Sequence, residues 1–275
     1  MQNIMPVIFV GHGATIFTMN SQDPTHVRFQ EIGRELKANP PQAILCVSAH
    51  FIESKFIVTA AQKPPTIHDH PVQDLYSWKY PAPGHPELAL RICNRLNSVG
   101  LQSSTDPRRG IDHGAWIPAS LMFPEARIPV LQVSLHQSYD LNLHFRLGQA
   151  LEVLRHEGVL IICSGGVTHN QQEFRRGYFS GADVNVPANW SKEFDDWVSD
   201  LLTVKSPQHW KELLNFQYHH LSDISHPTIE HFLPMLVAIG AGDRDNLGAA
   251  QAVKLHTGFQ HSLSTSAFLF NYLHN

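Results

Sequence analysis

The chain has 275 residues, 43% of them hydrophobic and 16% charged, which is enough apolar material for a sizeable core and excludes a disordered tail. Its net charge is −4 and no Lys/Arg run exceeds two (Arg108-Arg109 and Arg175-Arg176), which argues against nucleic acid as a partner because phosphate binding needs clustered cations. No run of apolar residues is long enough to read as a membrane span, and no CxxC pair suggests a thiolate metal site.

Taken in chain order, the first expected element is a strand over residues 6–10. Met1 to Met5 leads into it without a charged leader segment, and Gly11-His12-Gly13 follows it. An amphipathic stretch from Val27 to Lys37 predicts a helix. A second strand covers 42–48 and is followed by Ala49-His50, and Phe56 to Ala60 reads as a third. Lys63 to Gly84 is rich in Pro and His; a loop of that length in a compact domain is usually functional. Pro86 to Ser98 has helical spacing, Ile128 to Ser134 is a strand, and Leu141 to Glu157 is a helix ending at Gly158. Val159 to Cys163 is a strand that runs through Gly165-Gly166 to His169. Asn189 to Leu202 is a helix. Pro227 to Ile239 is expected to be one more, kinked at Pro234, with His231 in its first turn and His226 as its cap or as a neighbour of the site. Phe259 to Phe270 reads as closing β structure. Strands alternating with helices imply an α/β fold: a single domain with a central mostly parallel or mixed sheet flanked by helices.

Histidine is the outlier, with 19 copies against 20 Lys plus Arg. Three of them, His12, His50 and His169, follow β-branched apolar runs through small-residue turns. Buried parallel strands read as such runs, and ligands in open α/β sheets sit beyond their carboxyl ends. A lone histidine is more often a hydrogen-bonded core residue than a ligand, but His12 and His50 on equivalent strand ends favour a metal site at that edge. His169, a few residues beyond its strand, is either a ligand or a neighbouring acid/base. His231, with Glu230 beside it, is a fourth candidate, or else part of a polar surface turn. His113, between Asp112 and Gly114, is a polar group presented to a pocket with Trp116 as its wall, or a solvated turn. His68, His70 and His136 stay undecided. The remaining histidines, His26, His85, His144 and His274 among them, read as structural or surface residues. Cys46, Cys93 and Cys163 read as small buried hydrophobes in a reducing compartment, and a cytoplasmic location is the expectation.

Seven blocks occur in order: Gly11-His12-Gly13, Val47-Ser48-Ala49-His50, Pro65-Thr66-Ile67-His68-Asp69, Tyr80-Pro81-Ala82-Pro83-Gly84, Asp112-His113-Gly114-Ala115-Trp116, His169-Asn170, and Pro227-Thr228-Ile229-Glu230-His231-Phe232-Leu233-Pro234. Together they resemble the class III extradiol ring-cleavage dioxygenases of the DOPA 4,5-dioxygenase type. The resemblance implies one catalytic domain over residues 1–275 and one divalent metal per chain. His12, His50 and His231 match its metal positions. His169 matches its acid/base and is a candidate fourth ligand, and His113 matches a second active-site histidine. The implied substrates are a catechol and O₂, giving a muconic-semialdehyde-type product, with His169 taking a proton near the ordinary histidine pKa of roughly 6.5. Many class III enzymes hold Fe(II) with two histidines and a glutamate; here the third position is His231, which leaves Zn(2+) and Fe(2+) both open. Two other readings stand beside this one: a zinc hydrolase using a metal-bound water, and a non-catalytic ligand-binding relative. The oligomeric state is left open.

Overall fold

Four runs of β-branched and apolar residues build the centre of the molecule. In the computed structural model, which describes residues 4–203, 209–243 and 252–270, these are β1 (Val7–Gly11), β2 (Ala43–Glu53), β5 (Val130–His136) and β6 (Val159–Gly165). Around them lie β3 (Phe56–Thr59), β4 (Ser103–Asp106), β7 (Ala252–His256), β8 (Phe259–Gln260), β9 (Leu263–Ser264) and β10 (Ala267–Phe270). Eight strands form one mixed sheet in the order β4-β3-β5-β2-β6-β1-β10-β7, while β8 and β9 pair as a separate hairpin. The inner four, β5-β2-β6-β1, are parallel. β10 closes one side antiparallel to β1, and β3 runs antiparallel to β5 on the other.

The helices are α1 (Thr15–Thr18), α2 (Pro24–Leu36), α3 (Pro86–Ser98), α4 (His113–Met122), α5 (Leu141–Leu151), α6 (Gln171–Ser180), α7 (Asn189–Thr203), α8 (Ser222–Ser225) and α9 (Leu233–Gly242). Strand alternation sends Val7, Phe9, Leu45 and Val47 into a core with α3, α5, α7 and α9. It sends Ile8, Val10, Ile44 and Cys46 to the opposite face, against α2 and α4. The expected single α/β domain, with a mixed sheet covered on both faces, is what these residues form. No helix among the described residues is long and apolar enough to cross a membrane.

Three elements depart from expectation. No helix begins at Pro227: residues 227–232 are turn and bend, and α9 starts at Leu233. Pro234 therefore sits in the first turn, where its missing N–H costs nothing, and it opens the helix instead of kinking it. His226 is not the cap of a helix at 227; it ends α8, and its side chain Nε2 donates to the Val167 carbonyl at 2.7 Å. His113 is not in a loop but is the first residue of α4, a helix whose ten residues are all buried. His274 lies outside the described residues.

Candidate metal centre and active site

The parallel inner strands bring their carboxyl ends to one edge, and the histidines arrive there by different local devices. His12 follows β1 directly. An Nδ1–H donated to Ser164 Oγ (2.9 Å), at the end of β6, leaves the His12 lone pair on Nε2. His50 lies inside β2, where the register with β5 shifts between the pairs Val47–Val133 and Ile52–Leu135. Such a bulge re-aims a strand side chain. The His50 backbone N–H donates to Ser48 Oγ (3.2 Å), and that hydroxyl donates to the buried Asp112 carboxylate (2.7 Å). Gly114 lets α4 close on this strand, since a Cβ there would lie 2.3 Å from Ser48 Oγ. His231 sits in the turn before α9, and its carbonyl accepts from Gly166 N at 2.9 Å. A Cβ on Gly165 would lie 2.2 Å from that carbonyl oxygen, so the close approach requires glycine. The His231 Nδ1–H donates to Glu230 Oε1 at 2.9 Å.

These three side chains converge. One ring nitrogen from each of His12, His50 and His231 lies within 4.8 Å of the others. His12 Nε2 and His50 Nε2 are 3.1 Å apart, and His231 Nε2 is buried with no hydrogen-bond partner. A buried orphan acceptor is costly unless something else binds it. Burial first, and the neighbouring imidazoles second, hold the pKa values of His12 and His231 well below the ordinary histidine value; His50 is lowered by burial and then by His113. All three are therefore neutral near pH 7, the form in which imidazole ligates a cation. Three lone pairs facing one point, with Glu230 and Ser164 engaging two of the outer nitrogens, fit a divalent metal ion.

His169 lies beside this group, and one of its ring nitrogens is within 4.8 Å of ligand atoms of His231 and Glu230, a second set that could hold a metal. Its ring stacks on His231 with centroids 3.4 Å apart and planes 7° apart. Its Nε2 is 3.0 Å from the Gln171 amide nitrogen. The ordinary pKa expected for it is not what the surroundings give: burial, then His113, push it down to about 4, so it too is neutral near pH 7. His113 is 3.9 Å from His50, centroid to centroid. Its backbone N–H and its Nδ1–H both donate to Asp69 Oδ1, at 3.0 and 2.8 Å. Burial works to raise the Asp69 pKa, but these hydrogen bonds and the charge of His113 outweigh it and hold Asp69 well below the usual carboxylate range.

The five histidines line a cavity of about 360 Å³ together with Asp69, His70, Gln171, Phe174 and Arg175. His70 is thus a lining residue; burial, then His113 and His68, lower its pKa to about 4. His68 does not line the cavity; its Nδ1 is 3.3 Å from His70 Nε2, and its ring packs against Tyr76 and Trp116 with centroids 5.5 and 6.0 Å away. His136 does not line the cavity and instead meets Ser138 Oγ at 2.8 Å. Trp116 is buried behind the site as a prop and is not its wall; its Nε1–H donates to the Ile67 carbonyl at 3.0 Å. The segment Phe174 to Ala188, which contains Arg175, reads from the sequence as shaping the pocket, but neither Gln171 nor Arg175 was singled out as a site residue. Their signal was the helix-capping Asn170 next to His169, which places the first turn of α6 over the cavity: Asn170 Oδ1 accepts from the Gln172 and Glu173 N–H groups.

Comparison with known proteins gives the family of the chain. Residues 6–270 match the family described as the catalytic LigB subunit of aromatic ring-opening dioxygenase. The chain is 39% identical over 250 residues to a 4,5-DOPA dioxygenase extradiol of Beta vulgaris, covering 89% of each chain. It is 37% identical to the protein of the same name from Escherichia coli K12, covering 87% of this chain and 86% of that one. A crystal structure of an uncharacterized Escherichia coli K12 protein superposes with a TM-score of 0.78 at 34% identity, over 97% of this chain and 100% of that one. The hydrolase and the non-catalytic readings are not favoured by these matches. The chain belongs to the aromatic ring-opening dioxygenase family of the LigB catalytic subunit and is a metal-dependent extradiol dioxygenase that opens a catecholic ring.

Proposed function

We propose that His12, His50 and His231 hold one Fe(II), and that His169 and His113 serve the ring opening of a catechol by O₂. The observation that carries this is the buried, partnerless His231 Nε2 facing the His12 and His50 nitrogens within 4.8 Å. Iron is favoured over zinc by the chemistry of the reaction, since zinc has no redox change to offer O₂. The all-imidazole site accepts zinc readily, and divalent zinc generally binds such sites more tightly than ferrous iron, so zinc-filled protein is expected to be inactive. When bound, the iron supplies positions for the two catechol oxygens and for O₂.

The chain's own groups do the rest. His169, neutral at pH 7, takes a catechol hydroxyl proton as the substrate enters. It returns that proton as the O–O bond breaks. His113 has its Nδ1–H committed to Asp69, which leaves Nε2 as the nitrogen that faces a substrate hydroxyl. The balance is one catechol plus one O₂: the ring bond beside the diol breaks, one carbon becoming a carboxyl and its neighbour an aldehyde. Buried and unpaired, Cys46, Cys93 and Cys163 support a reducing compartment, which we read as the cytoplasm.

The test is anaerobic reconstitution with ferrous iron, followed by admission of oxygen in the presence of catechols. The expected result is one O₂ consumed per catechol with a yellow ring-opened product, and no turnover with zinc. Turnover without oxygen, or turnover in zinc-loaded protein, would refute the assignment.

A further inference from the structure

The catalytic cavity does not end at the histidines. Ile16, Pro71, Val72, Phe174 and Arg175 also border an outer groove of about 550 Å³ that continues past Tyr178 and Phe179. One face of α6 runs from the inner space to the outer. Gln171, Phe174, Arg175 and Tyr178 are spaced i, i+3, i+4, i+7 and share that face. Gln171 touches His169; Phe174 and Arg175 border both spaces; Tyr178 borders only the outer one.

Arg175 stands out on this face. Among the described residues, no other Lys or Arg borders the inner cavity. The adjacent arginine, Arg176, is engaged by Glu173, with Nη1 2.9 Å from a carboxylate oxygen. Arg175 has no hydrogen bond or ion pair among the described residues, and it is solvent-exposed at the throat between the two spaces. The remaining polar groups of the inner cavity are largely committed, Asp69 to His113 and Gln171 to His169. A guanidinium with no partner among the described residues, where the inner cavity meets the outer groove, is a fork for a carboxylate.

We infer that Arg175 is a specificity-determining residue that binds a carboxylate on the side arm of the catechol. The inference rests on the proposed ring-opening reaction and adds the part of the substrate that the histidines do not reach. Gln171, beside His169, and Arg175 are four helical positions apart, a rise of about 6 Å. That distance suits a carboxylate two or three carbons from the ring, with Phe174 and Val72 flanking the arm.

Binding is measured first without oxygen, where no turnover occurs, using 3,4-dihydroxyphenylpropanoate and the uncharged 4-propylcatechol as probes on ferrous-loaded protein. Arg175→Gln is expected to weaken binding of the carboxylate by about tenfold and to leave 4-propylcatechol within twofold. With oxygen admitted, KM for the carboxylate rises by a similar factor while kcat stays within twofold. Arg175→Lys, which keeps the charge without the fork, recovers part of the loss. Equal effects on both probes, or no effect on either, overturn the inference. If the Arg175-dependent binding is present but neither catechol is opened, the proposed reaction fails and the carboxylate site stands; if both are opened with no dependence on Arg175, the reverse holds.

Discussion

Replacing Glu230 by glutamine changes a single charge behind the proposed metal site and leaves its shape alone. Glu230 Oε1 accepts from His231 Nδ1 at 2.9 Å and from Thr228 Oγ1 at 3.0 Å, and the carboxylate is 17% exposed. These bonds fix the proton of His231 on Nδ1, so Nε2 is free to ligate. A hydrogen bond to a charged acceptor contributes about 1.5–3 kcal/mol, and a neutral one about 0.5–1.5 kcal/mol. The difference, about 1–1.5 kcal/mol, is roughly a five- to tenfold change in an equilibrium constant. Partners behind metal-bound histidines generally cost 10–100-fold when mutated, so tenfold is the expected loss of metal affinity for Glu230→Gln and more for Glu230→Ala. Anaerobic competition against a chelator of known affinity measures this directly, with circular dichroism to verify the fold. Affinities within twofold of wild type for both variants would refute the claim that Glu230 orients and strengthens His231 as a ligand.

His169→Ala should keep its metal and lose turnover by about 10²–10⁴-fold, whereas His12→Ala should lose the metal; metal analysis beside oxygen-uptake rates separates the two. Stability should fall with acid through His144, whose pKa is lowered to about 4 by burial. Its Nε2 accepts from His136 N at 3.0 Å and its Nδ1 donates to the Asp140 carbonyl at 2.6 Å, so both nitrogens are committed to the neutral ring. The unfolded chain takes up this proton near pH 6.5 and the folded chain only near pH 4. Between those values the folded state therefore loses roughly 3 kcal/mol as pH falls, and nothing more above pH 6.5. Urea midpoints from pH 7.5 to 4.5 should show a shallower decline in His144→Gln than in wild type.

Much of this architecture was readable because its centre is written in β-branched runs. Val7 to Val10, Ile44 to Val47 and Val159 to Ile162 have no other plausible home than buried parallel strands, and the histidines beyond them share an edge as a consequence. β4 carried no such signal: Ser103, Ser104, Thr105 and Asp106 are polar and half-buried at the sheet edge. α4 was hidden for the opposite reason. It is apolar all round, so no helical period shows, and Pro118 interrupts the pattern. α6 has no buried residue at all, leaving its capping Asn170 as the sole local clue. The proton affinity of His169 was beyond reach as well. It depends on the rings that surround it and not on its own position in the chain, and those rings come from segments more than 50 residues away in sequence.

The tight seam between Gly165 and the His231 carbonyl has a consequence for how this enzyme can change over time. Adding one methyl group at position 165 would displace backbone, not a rotatable side chain, and the displaced backbone is the one that carries the third imidazole. Selection can therefore retune the mouth of the site residue by residue along an exposed helix. The hydrogen atom at position 165 has no such latitude, because any side chain there would push on the backbone that carries His231, the proposed third ligand.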